Sequence, residues 1–431
     1  MNLTRRNILQ GAAASAAALQ AISTASAAPI VQKTGVSPGA AATDEAYWKD
    51  IAAQYDVTPD VLNFENGYWG LMARPVLDAF LRHTEYVNRQ NSWYARRQFN
   101  DDLRPIHARL AEFLGAGTDE IVFTRGATEA LQAILRGYNR LKAGDAVMYA
   151  DVDYDSIQTA METLAEREGC SVVRLEAPEP AGHDEILDFY RRALDENPRV
   201  RLLLLTHISH RNGLKIPVRE IVEMARAREV DCVVDAAHSW GQTDFRIEDL
   251  GADFAGFNLH KWIGGPIGAG LMYIRRTRLN AISPDLSERP DGVGTIHNRI
   301  HTGTTNFATF LTLGDALDFH QRVGPENKAA RLSYLRDLWV GAVRDLPGLG
   351  VLTQDDPRMH AGITSFRVAG KTSVKDNQDI VARLIDEHGI FTTHRAGLAR
   401  GACVRVTPSL YTRADDCLQL AGALKALVPN L

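Results

Sequence analysis

Short apolar runs alternate with amphipathic segments through the middle of this 431-residue chain, and this alternation restricts its fold more than any other feature. The apolar runs have the length of buried strands, and the segments between them repeat apolar residues at helical spacing. The runs are residues 120–123, 146–149, 172–175, 201–206, 232–234, 254–257 and 271–274, and the amphipathic segments include residues 155–167, 184–196 and 218–228. Strands that alternate with helices form a parallel sheet with helices on both faces. The sequence therefore predicts an α/β core.

A different pattern follows Gly324 and Pro325, and it predicts a smaller α+β domain. The predicted elements are a long helix over residues 327–346, strands at 362–368 and 403–406, and a closing helix with Thr412 as N-cap and Asp415 three residues later. We therefore expect a large domain at residues 63–323 and a small C-terminal domain at residues 324–431.

The first residues have the pattern of an export signal. Arg5 and Arg6 precede an alanine-rich, weakly apolar run that ends at Ala25, Ser26 and Ala27, as in twin-arginine signals. The run is too short and too weakly apolar for a membrane span. We predict that residues 1–27 are a signal peptide, read by the twin-arginine export machinery, and that the mature protein lies in the periplasm. Residues 28–62 are then a lead-in segment, which we expect to be flexible in its small, Pro- and Gly-containing part.

Charge and cysteine content exclude several classes of function. The formal net charge is −5, or −7 without the two signal arginines, and no basic cluster indicates a nucleic-acid partner. The cysteines lack the spacing of metal ligands, and a chain of this size needs no disulfides, so no metal is expected. These cysteines are Cys170, Cys232, Cys403 and Cys417.

Proteins exported by the twin-arginine route cross the membrane folded, which suits an enzyme that acquires a cofactor in the cytoplasm.

Two charged residues follow predicted strands. Lys261 lies in the sequence NLHKWIGG (residues 258–265), between a polar pair and a glycine-rich turn. Burial or neighbouring charge makes a lysine nucleophilic towards carbonyl groups, most often in a Schiff base with pyridoxal phosphate (PLP). Asp235 ends an apolar run. In α/β sheets, side chains at the carboxyl end of such a strand enter ligand sites. A carboxylate at this position can pair with the pyridine nitrogen of PLP. A surface lysine, a helix N-cap at Asp235 and a core histidine at His238 are the alternatives.

Residues 234–239, VDAAHS, followed by His260 and Lys261, resemble the class V aminotransferase family of fold-type I PLP enzymes. This family includes cysteine desulfurases, kynureninases and isopenicillin N epimerases. The likeness spans residues 66–405 and is greatest to the isopenicillin N epimerase-like branch, including the exported PLP enzymes of pyoverdine siderophore maturation. It implies a mostly parallel seven-stranded sheet sandwiched by helices, a smaller C-terminal α+β domain, PLP as cofactor and a homodimer.

The phosphate of the cofactor is expected at the start of a helix. Gly126, Ala127 and Thr128 follow the first strand of the core, and a helix N-terminus next to a glycine binds phosphate well. Thr128 as a simple N-cap is the alternative. The resemblance implies four further phosphate ligands: Asn258, His260 and, from the neighbouring subunit, Gly303 and Thr304.

The resemblance also implies roles around the cofactor ring and the substrate. Tyr154 would stack on the ring, and Ser209, or else His210, would bind its phenolic oxygen. His238 would lie near that oxygen or the phosphate. Arg405 would bind the substrate carboxylate through two parallel hydrogen bonds, although an arginine in a strand can also face solvent. The family has a similar segment at the mouth of the active site, so the expected substrate contacts are Tyr68 and, as a weaker candidate, Trp69, with ordinary packing as the alternative. Independently of the resemblance, Arg96 lies in an aromatic and basic cluster at residues 93–97, ahead of a helix starting near Asp101, and can bind an anionic substrate; a solvated helix face is the alternative.

The reaction is less restricted by the sequence than the cofactor is. Lys261 is the natural base for removal of an α-proton. Cysteine desulfurases also need a cysteine on a mobile loop, and residues 393–400 contain none. We therefore predict transamination or deamination of an amino-acid group. The resemblance to the enzymes of siderophore maturation implies that a glutamate-bearing pyoverdine precursor carries this group. An epimerase, a C–S or β-lyase, and an inactive PLP-fold binding protein are the alternatives.

Overall fold

The computed structural model describes residues 35–288 and 294–431, so the signal-peptide prediction lies outside the described residues. The helices are α1 (Pro38–Ala42), α2 (Glu45–Ala52), α3 (Arg74–Arg97), α4 (Phe99–Leu114), α5 (Ala127–Gly137), α6 (Asp155–Glu168), α7 (His183–Glu196), α8 (Val218–Arg226), α9 (Ile247–Leu250), α10 (Phe307–Leu311), α11 (Leu313–Val323), α12 (Pro325–Val343), α13 (Val374–His388) and α14 (Ala414–Leu427). Within these residues, no helix combines the length and the apolar character needed to cross a membrane.

A seven-stranded sheet forms the centre of the larger part of the molecule. Its strands are β2 (Ile121–Thr124), β3 (Ala146–Ala150), β4 (Ser171–Leu175), β5 (Val200–Thr206), β6 (Asp231–Asp235), β7 (Phe254–Asn258) and β8 (Gly270–Ile274). They lie in the order β2-β8-β7-β6-β5-β3-β4. Strand β8 runs opposite to the other six strands, which all point in one direction. The mostly parallel sheet predicted from the sequence is confirmed.

The apolar runs form these strands because helices cover both faces of the sheet. Strands β3, β5, β6, β7 and β8 are buried along almost their whole length, and β4 is more exposed because it lies at an edge. On one face, Leu131 and Ile134 of α5 pack with Val147, Leu202 and Val233 of the sheet, all of them fully buried. This rigid core fixes the strand ends that carry the polar residues of interest.

A second, antiparallel sheet lies in the C-terminal part of the chain. Its strands β9 (Leu349–Val351), β10 (Thr364–Val368), β12 (Thr393–Arg395) and β13 (Cys403–Val406) pair in the order β12-β13-β10-β9. A short strand near the N-terminus, β1 (Leu62–Asn63), pairs in parallel with β11 (Ile390–Phe391). Phe64 is buried in the core that this sheet shares with α12, α13 and α14. Residues 62–64 therefore pack with the C-terminal part and not with the seven-stranded sheet.

Residues 38–42, in the part predicted to be flexible (residues 30–43), form helix α1 and are packed, so that prediction was wrong for them. Ala41 and Trp48 are buried, and Trp48 Nε1 donates to Ala41 O at 2.8 Å. Arg331 of α12 donates from Nη1 to Ala42 O at 2.9 Å. Small residues suggested a loop, but their size is what lets α1 approach α12 closely.

The closing helix begins one residue later than the sequence predicted. Its N-cap is Arg413, whose backbone N–H donates to Asp416 Oδ2 at 2.8 Å, so the reciprocal pair is not Thr412 with Asp415. Thr412 instead accepts a hydrogen bond at its Oγ1 from the Ser409 N–H, at 2.9 Å. The hydroxyl thus stabilises the turn before the helix.

Candidate active site

The carboxyl ends of β6 and β7 bring Asp235 and Lys261 into one cavity. Strand β6 ends at Asp235, and β7 ends at Asn258, three residues before Lys261. The turn that carries Lys261 is held by two backbone hydrogen bonds at 3.0 Å, from Leu259 N to Ala269 O and from Gly265 N to Leu259 O. The cavity measures about 1080 Å³. Its position matches the rule that α/β sheets bind ligands beyond the carboxyl ends of their strands.

The amine of Lys261 is held in a form that can react. Its Nζ lies 2.8 Å from His238 Nε2. Burial lowers the pKa of Lys261 to about 7, helped by the positive charges of Arg405 and Arg395 and opposed by Asp235. Burial also lowers the pKa of His238 well below its usual value, with Lys261 adding to the shift. A neutral imidazole therefore lies beside an amine that loses its proton near neutral pH.

Asp235 is a buried carboxylate that needs a positive partner. Its Oδ1 accepts a hydrogen bond from the Ala237 N–H at 2.9 Å. Burial raises the pKa of this carboxyl, and the hydrogen bond from Ala237 and the charge of Lys261 act in the opposite direction. A protonated ring nitrogen placed against Asp235 would supply the charge that burial makes favourable.

The start of α5 forms a cradle for an anion. The first N–H groups of a helix have no partner within it, and here Ala127 donates its N–H to Asn258 Oδ1 at 2.8 Å. A Cβ atom at Gly126 would lie 2.9 Å from the same oxygen, so only glycine leaves the space open. His260 Nδ1 lies 2.9 Å from Ala269 O and donates to it. These residues line the cavity together with Thr128, as the sequence predicted for a phosphate site.

Two rings, but not Ser209, lie at the side of the cavity. Tyr154 and His210 line it and meet edge to face, with ring centroids 5.0 Å apart. Ser209 is fully buried and does not line the cavity, because its hydroxyl donates to Val152 O at 2.8 Å. His210, the second choice from the sequence, is therefore the one that faces the cofactor position. Thr206, which the sequence analysis did not single out, also lines the cavity.

Arg405 is completely buried and already bonded. Its Nη1 donates to His210 O at 2.7 Å, and its Nη2 donates to Glu65 Oε1 and Oε2 at 2.6 and 2.8 Å. Arg395 Nη2 lies 3.6 Å from Glu65 Oε1, and both arginines line the cavity. Neither Glu65 nor Arg395 was predicted from the sequence. Because they are far apart in the chain, no spacing could have linked them.

The segment between Glu65 and the first long helix crosses the cavity mouth. A Cβ atom at Gly67 would collide with the guanidinium of Arg405, so this glycine is required for the close approach. Gly70 donates its N–H to His260 O at 2.8 Å. Between them, Tyr68 and Trp69 line the cavity and are 71% and 45% exposed. Both aromatic side chains are therefore available to a substrate.

Besides Ser209, three predicted site residues are not brought to this cavity. Arg96 is exposed in the last turn of α3, after a break at Asn91, and α4 follows at once from Phe99. The cluster at 93–97 thus ends one helix and directly precedes the next, as predicted, but it lies away from the cavity. Gly303 and Thr304 are exposed and do not line this chain's own cavity.

The amino-acid sequence matches the family described as aminotransferase class V over residues 72–416. The chain belongs to this family. Isopenicillin N epimerases of Streptomyces clavuligerus and Amycolatopsis lactamdurans are 25% and 26% identical to it, covering 89% and 88% of this chain and 98% of each relative. A probable cysteine desulfurase of Pyrococcus abyssi is 25% identical, over 89% of this chain and 98% of that protein.

Solved structures show the same fold in this class V chain. A cysteine desulfurase from Thermococcus onnurineus aligns with a TM-score of 0.74 at 22% identity, over 89% of this chain and 98% of the other. A C-DES mutant with glycine linked to its PLP cofactor aligns with a TM-score of 0.75 at 22% identity, over 86% and 98%. The protein is therefore a fold-type I enzyme that depends on PLP.

The residues in the cavity fit this cofactor. The anion cradle, the buried Asp235 and the reactive Lys261 lie in one space, as phosphate, ring nitrogen and aldehyde require. Within the described ranges, no three His, Cys, Asp or Glu side chains lie close enough to hold a metal ion.

The loop that follows β12 differs from what a class V cysteine desulfurase needs. It contains no cysteine, and Ala399 donates its N–H to Asp151 Oδ2 at 2.8 Å while Gly397 O accepts from Arg211 Nη1 at 2.8 Å. Cys403 follows the loop but is fully buried, and burial raises the pKa of its thiol to about 11. A tethered loop and an inert thiol leave no group here to receive sulfur.

Proposed function

We propose that this enzyme removes the α-proton of an amino-acid group and converts its amine by deamination or transamination. The observation that carries the proposal is the set of Lys261, His238, Asp235 and Arg405 around one cavity, with Lys261 Nζ 2.8 Å from His238. When bound, PLP draws electrons from the α-carbon of an attached amine and weakens its bonds.

Each side chain of this set has a separate task. Lys261 takes the α-proton, because burial favours its neutral amine near pH 7. His238 orients that amine through its Nε2. Asp235 keeps the ring nitrogen protonated, and Arg405 orients the substrate carboxylate.

The substrate that we propose is an amino-acid group on a larger molecule, such as the glutamate of a pyoverdine precursor. The cavity of about 1080 Å³ has to hold the cofactor as well as the substrate, and its volume lies at the upper end of usual ligand pockets. Tyr68 and Trp69 at its mouth offer exposed rings to the remainder of such a molecule. Comparison of turnover of free glutamate and of the same residue in the precursor tests this; preference for free glutamate contradicts it.

We also propose that the enzyme works in the periplasm after twin-arginine export. Arg5 and Arg6 followed by the Ala25-Ser26-Ala27 sequence support this location. Fractionation of cells that carry the parent or the Arg5→Lys/Arg6→Lys variant measures it. The parent is expected in the periplasm and the variant in the cytoplasm, and equal distribution refutes export by this route.

Epimerisation is the second candidate. Two isopenicillin N epimerases that align over 98% of their length support it, because the same proton removal followed by return to the other face inverts the α-carbon. The two candidates differ in product, since only deamination or transamination yields a keto acid or ammonia.

The visible absorption spectrum of the purified protein tests the proposal first. The parent is expected to show a band from bound PLP, and Lys261→Ala to lose it. Lys215→Ala is the matched control, because Lys215 is also largely buried with a lowered pKa but does not line the cavity. A band that survives in Lys261→Ala would refute the assignment of Lys261.

Products from a panel of L- and D-amino acids and the precursor, with and without 2-oxoglutarate, identify the reaction. A keto acid or ammonia supports the proposal. Racemised substrate without either product establishes the epimerase instead.

A further inference from the structure

Glu65 competes with the substrate for Arg405. A planar guanidinium has two edges that present parallel N–H groups. One edge carries Nε and Nη2 and the other carries Nη1 and Nη2, so both edges include Nη2. In this structure Nη2 donates to both carboxylate oxygens of Glu65. Nε of Arg405 has no partner among the described residues, so a substrate carboxylate that binds on the Nε side must share Nη2 with Glu65 and bring a second negative charge to the same nitrogen.

The structure offers Glu65 a second partner close by. Arg395 Nη2 is 3.6 Å from Glu65 Oε1, and Arg395 Nε has no partner among the described residues. A movement of about 1 Å would bring Glu65 to normal hydrogen-bond distance from Arg395. Burial together with the nearby positive charge of Arg405 lowers the pKa of Arg395 to about 10, so an additional carboxylate bond stabilises its charged form.

Only the side chain of Glu65 is free to make this movement. Its backbone N–H donates to Asn63 Oδ1 at 2.8 Å, and the neighbouring Asn66 Nδ2 donates to Thr407 O at 2.8 Å. Thr407 in turn donates its N–H to Phe64 O at 2.8 Å. The backbone is fixed to the C-terminal part of the chain, while the carboxylate lies between two guanidinium groups.

The net charge of Glu65, Arg395 and Arg405 together also matches one substrate carboxylate. Arg395 and Arg405 carry two positive charges and Glu65 one negative charge, which leaves a single positive charge beside Lys261. One incoming carboxylate neutralises it. A second carboxylate would add an unpaired negative charge in a buried site, which is strongly unfavourable.

We propose that Glu65 is an exchangeable internal carboxylate: it holds Arg405 in the free enzyme and passes to Arg395 when the substrate carboxylate binds. Glu65 and Arg395 are thus positioning residues that set the site to accept one carboxylate. This inference rests on the proposed function, in which Arg405 binds the substrate.

The test measures binding of propionate, a carboxylate without an amine, to the holoenzyme by the change in the visible band of its cofactor. Glu65→Gln keeps a side-chain oxygen for Arg405 but removes the competing charge, so propionate affinity is expected to rise about tenfold. Arg395→Gln removes the second partner of Glu65, and the affinity is expected to fall about tenfold.

The double variant separates exchange from direct binding. In the Glu65→Gln background, Arg395→Gln is expected to weaken propionate binding by about threefold or less, because no carboxylate has to move. An equal loss in both backgrounds means that Arg395 binds the ligand directly, and it overturns the proposal. Weaker binding in Glu65→Gln than in the parent overturns it as well.

Glu179→Gln is the matched control. Glu179 is a buried carboxylate that accepts from Arg367 Nη1 at 2.6 Å, but it does not line the cavity. Its replacement is expected to leave propionate affinity within about twofold of the parent. A larger change would show that loss of any buried ion pair alters binding, which would overturn the specific role of Glu65.

A second readout distinguishes failure of this inference from failure of the proposed function. The rise in thermal midpoint with propionate, measured on cofactor-free protein, reports the same ranking of variants without PLP. A parent that binds no PLP refutes the proposed function alone, whereas a reversed ranking in the cofactor-free protein refutes the exchange alone.

Discussion

Lys261 lies among groups that act on its charge in opposite directions. Burial and the two arginines favour the neutral amine, while Asp235 and Glu65 favour the ammonium form. The balance places its pKa near 7, well below the pKa of an ordinary lysine. Because only a neutral amine attacks an aldehyde, attachment of PLP reports this balance directly.

The rate of PLP attachment to cofactor-free protein is therefore expected to rise with pH, with a midpoint near 7, and to level off about one pH unit above it. The neutral fraction of Lys261 increases as pH passes its lowered pKa and is then complete. Growth of the visible band after mixing with PLP measures the rate. Arg395→Gln is expected to move the midpoint to higher pH, because the charge of Arg395 lowers this pKa. A rate that keeps rising to pH 10 contradicts the prediction.

At the scale of an element, helix α5 combines packing and binding in its first turn. Its apolar side packs on the seven-stranded sheet, and its N-terminus faces the cavity between Gly126 and Asn258. The sheet thus fixes the direction in which the first N–H groups of the helix point. Because the phosphate position depends on this turn, a small obstruction there affects binding more than folding.

Gly126→Ala is expected to weaken PLP binding at least about tenfold while global stability changes little, since the added Cβ would crowd Asn258 Oδ1. Titration of cofactor-free protein with PLP measures the affinity. Gly422→Ala in α14 is the control, because its Cβ meets open space. It is expected to retain full affinity and to gain up to about 1 kcal/mol of stability from higher helix propensity. Equal PLP affinity of the two variants contradicts phosphate binding at the start of α5.

Elements that depend on local pattern could be predicted from the sequence. Strand β3 begins at the predicted Ala146 and ends one residue beyond the prediction, and β13 agrees completely, because burial leaves a run that is apolar throughout β3 and, apart from Arg405, in β13. The helices of residues 38–52 could not be recognised, since their stability comes from Arg331 and other distant partners. The pairing of Glu65 with Arg405 was equally hidden, because it joins residues from opposite ends of the chain.

At the scale of the whole molecule, we propose that two copies share their active sites through residues 301–306. His301 lines the cavity of its own chain, whereas Gly303 and Thr304 are exposed beside it, which leaves them free to reach a partner. In such a homodimer, each phosphate would be bound by residues from both subunits.

A hybrid dimer tests this sharing. Lys261→Ala and Thr304→Glu are each expected to lack lysine-bound PLP, the first because its amine is removed and the second because a negative charge lies at the phosphate. Mixed dimers would contain one site with both residues intact and recover about half of the parental visible band. No recovery in isolated hybrids, or a monomer in sedimentation, refutes the shared site.

The pairing of β1 with β11 has a consequence for the order in which a ribosome makes this protein. Residues 62–66 are translated long before their partners Phe391, Arg405 and Thr407. The strands that carry Asp235 and Lys261 are complete long before then. Glu65 therefore gains its arginine partners only after Arg405 has been translated, and until then Lys261 lacks the two guanidinium charges that help to lower its pKa.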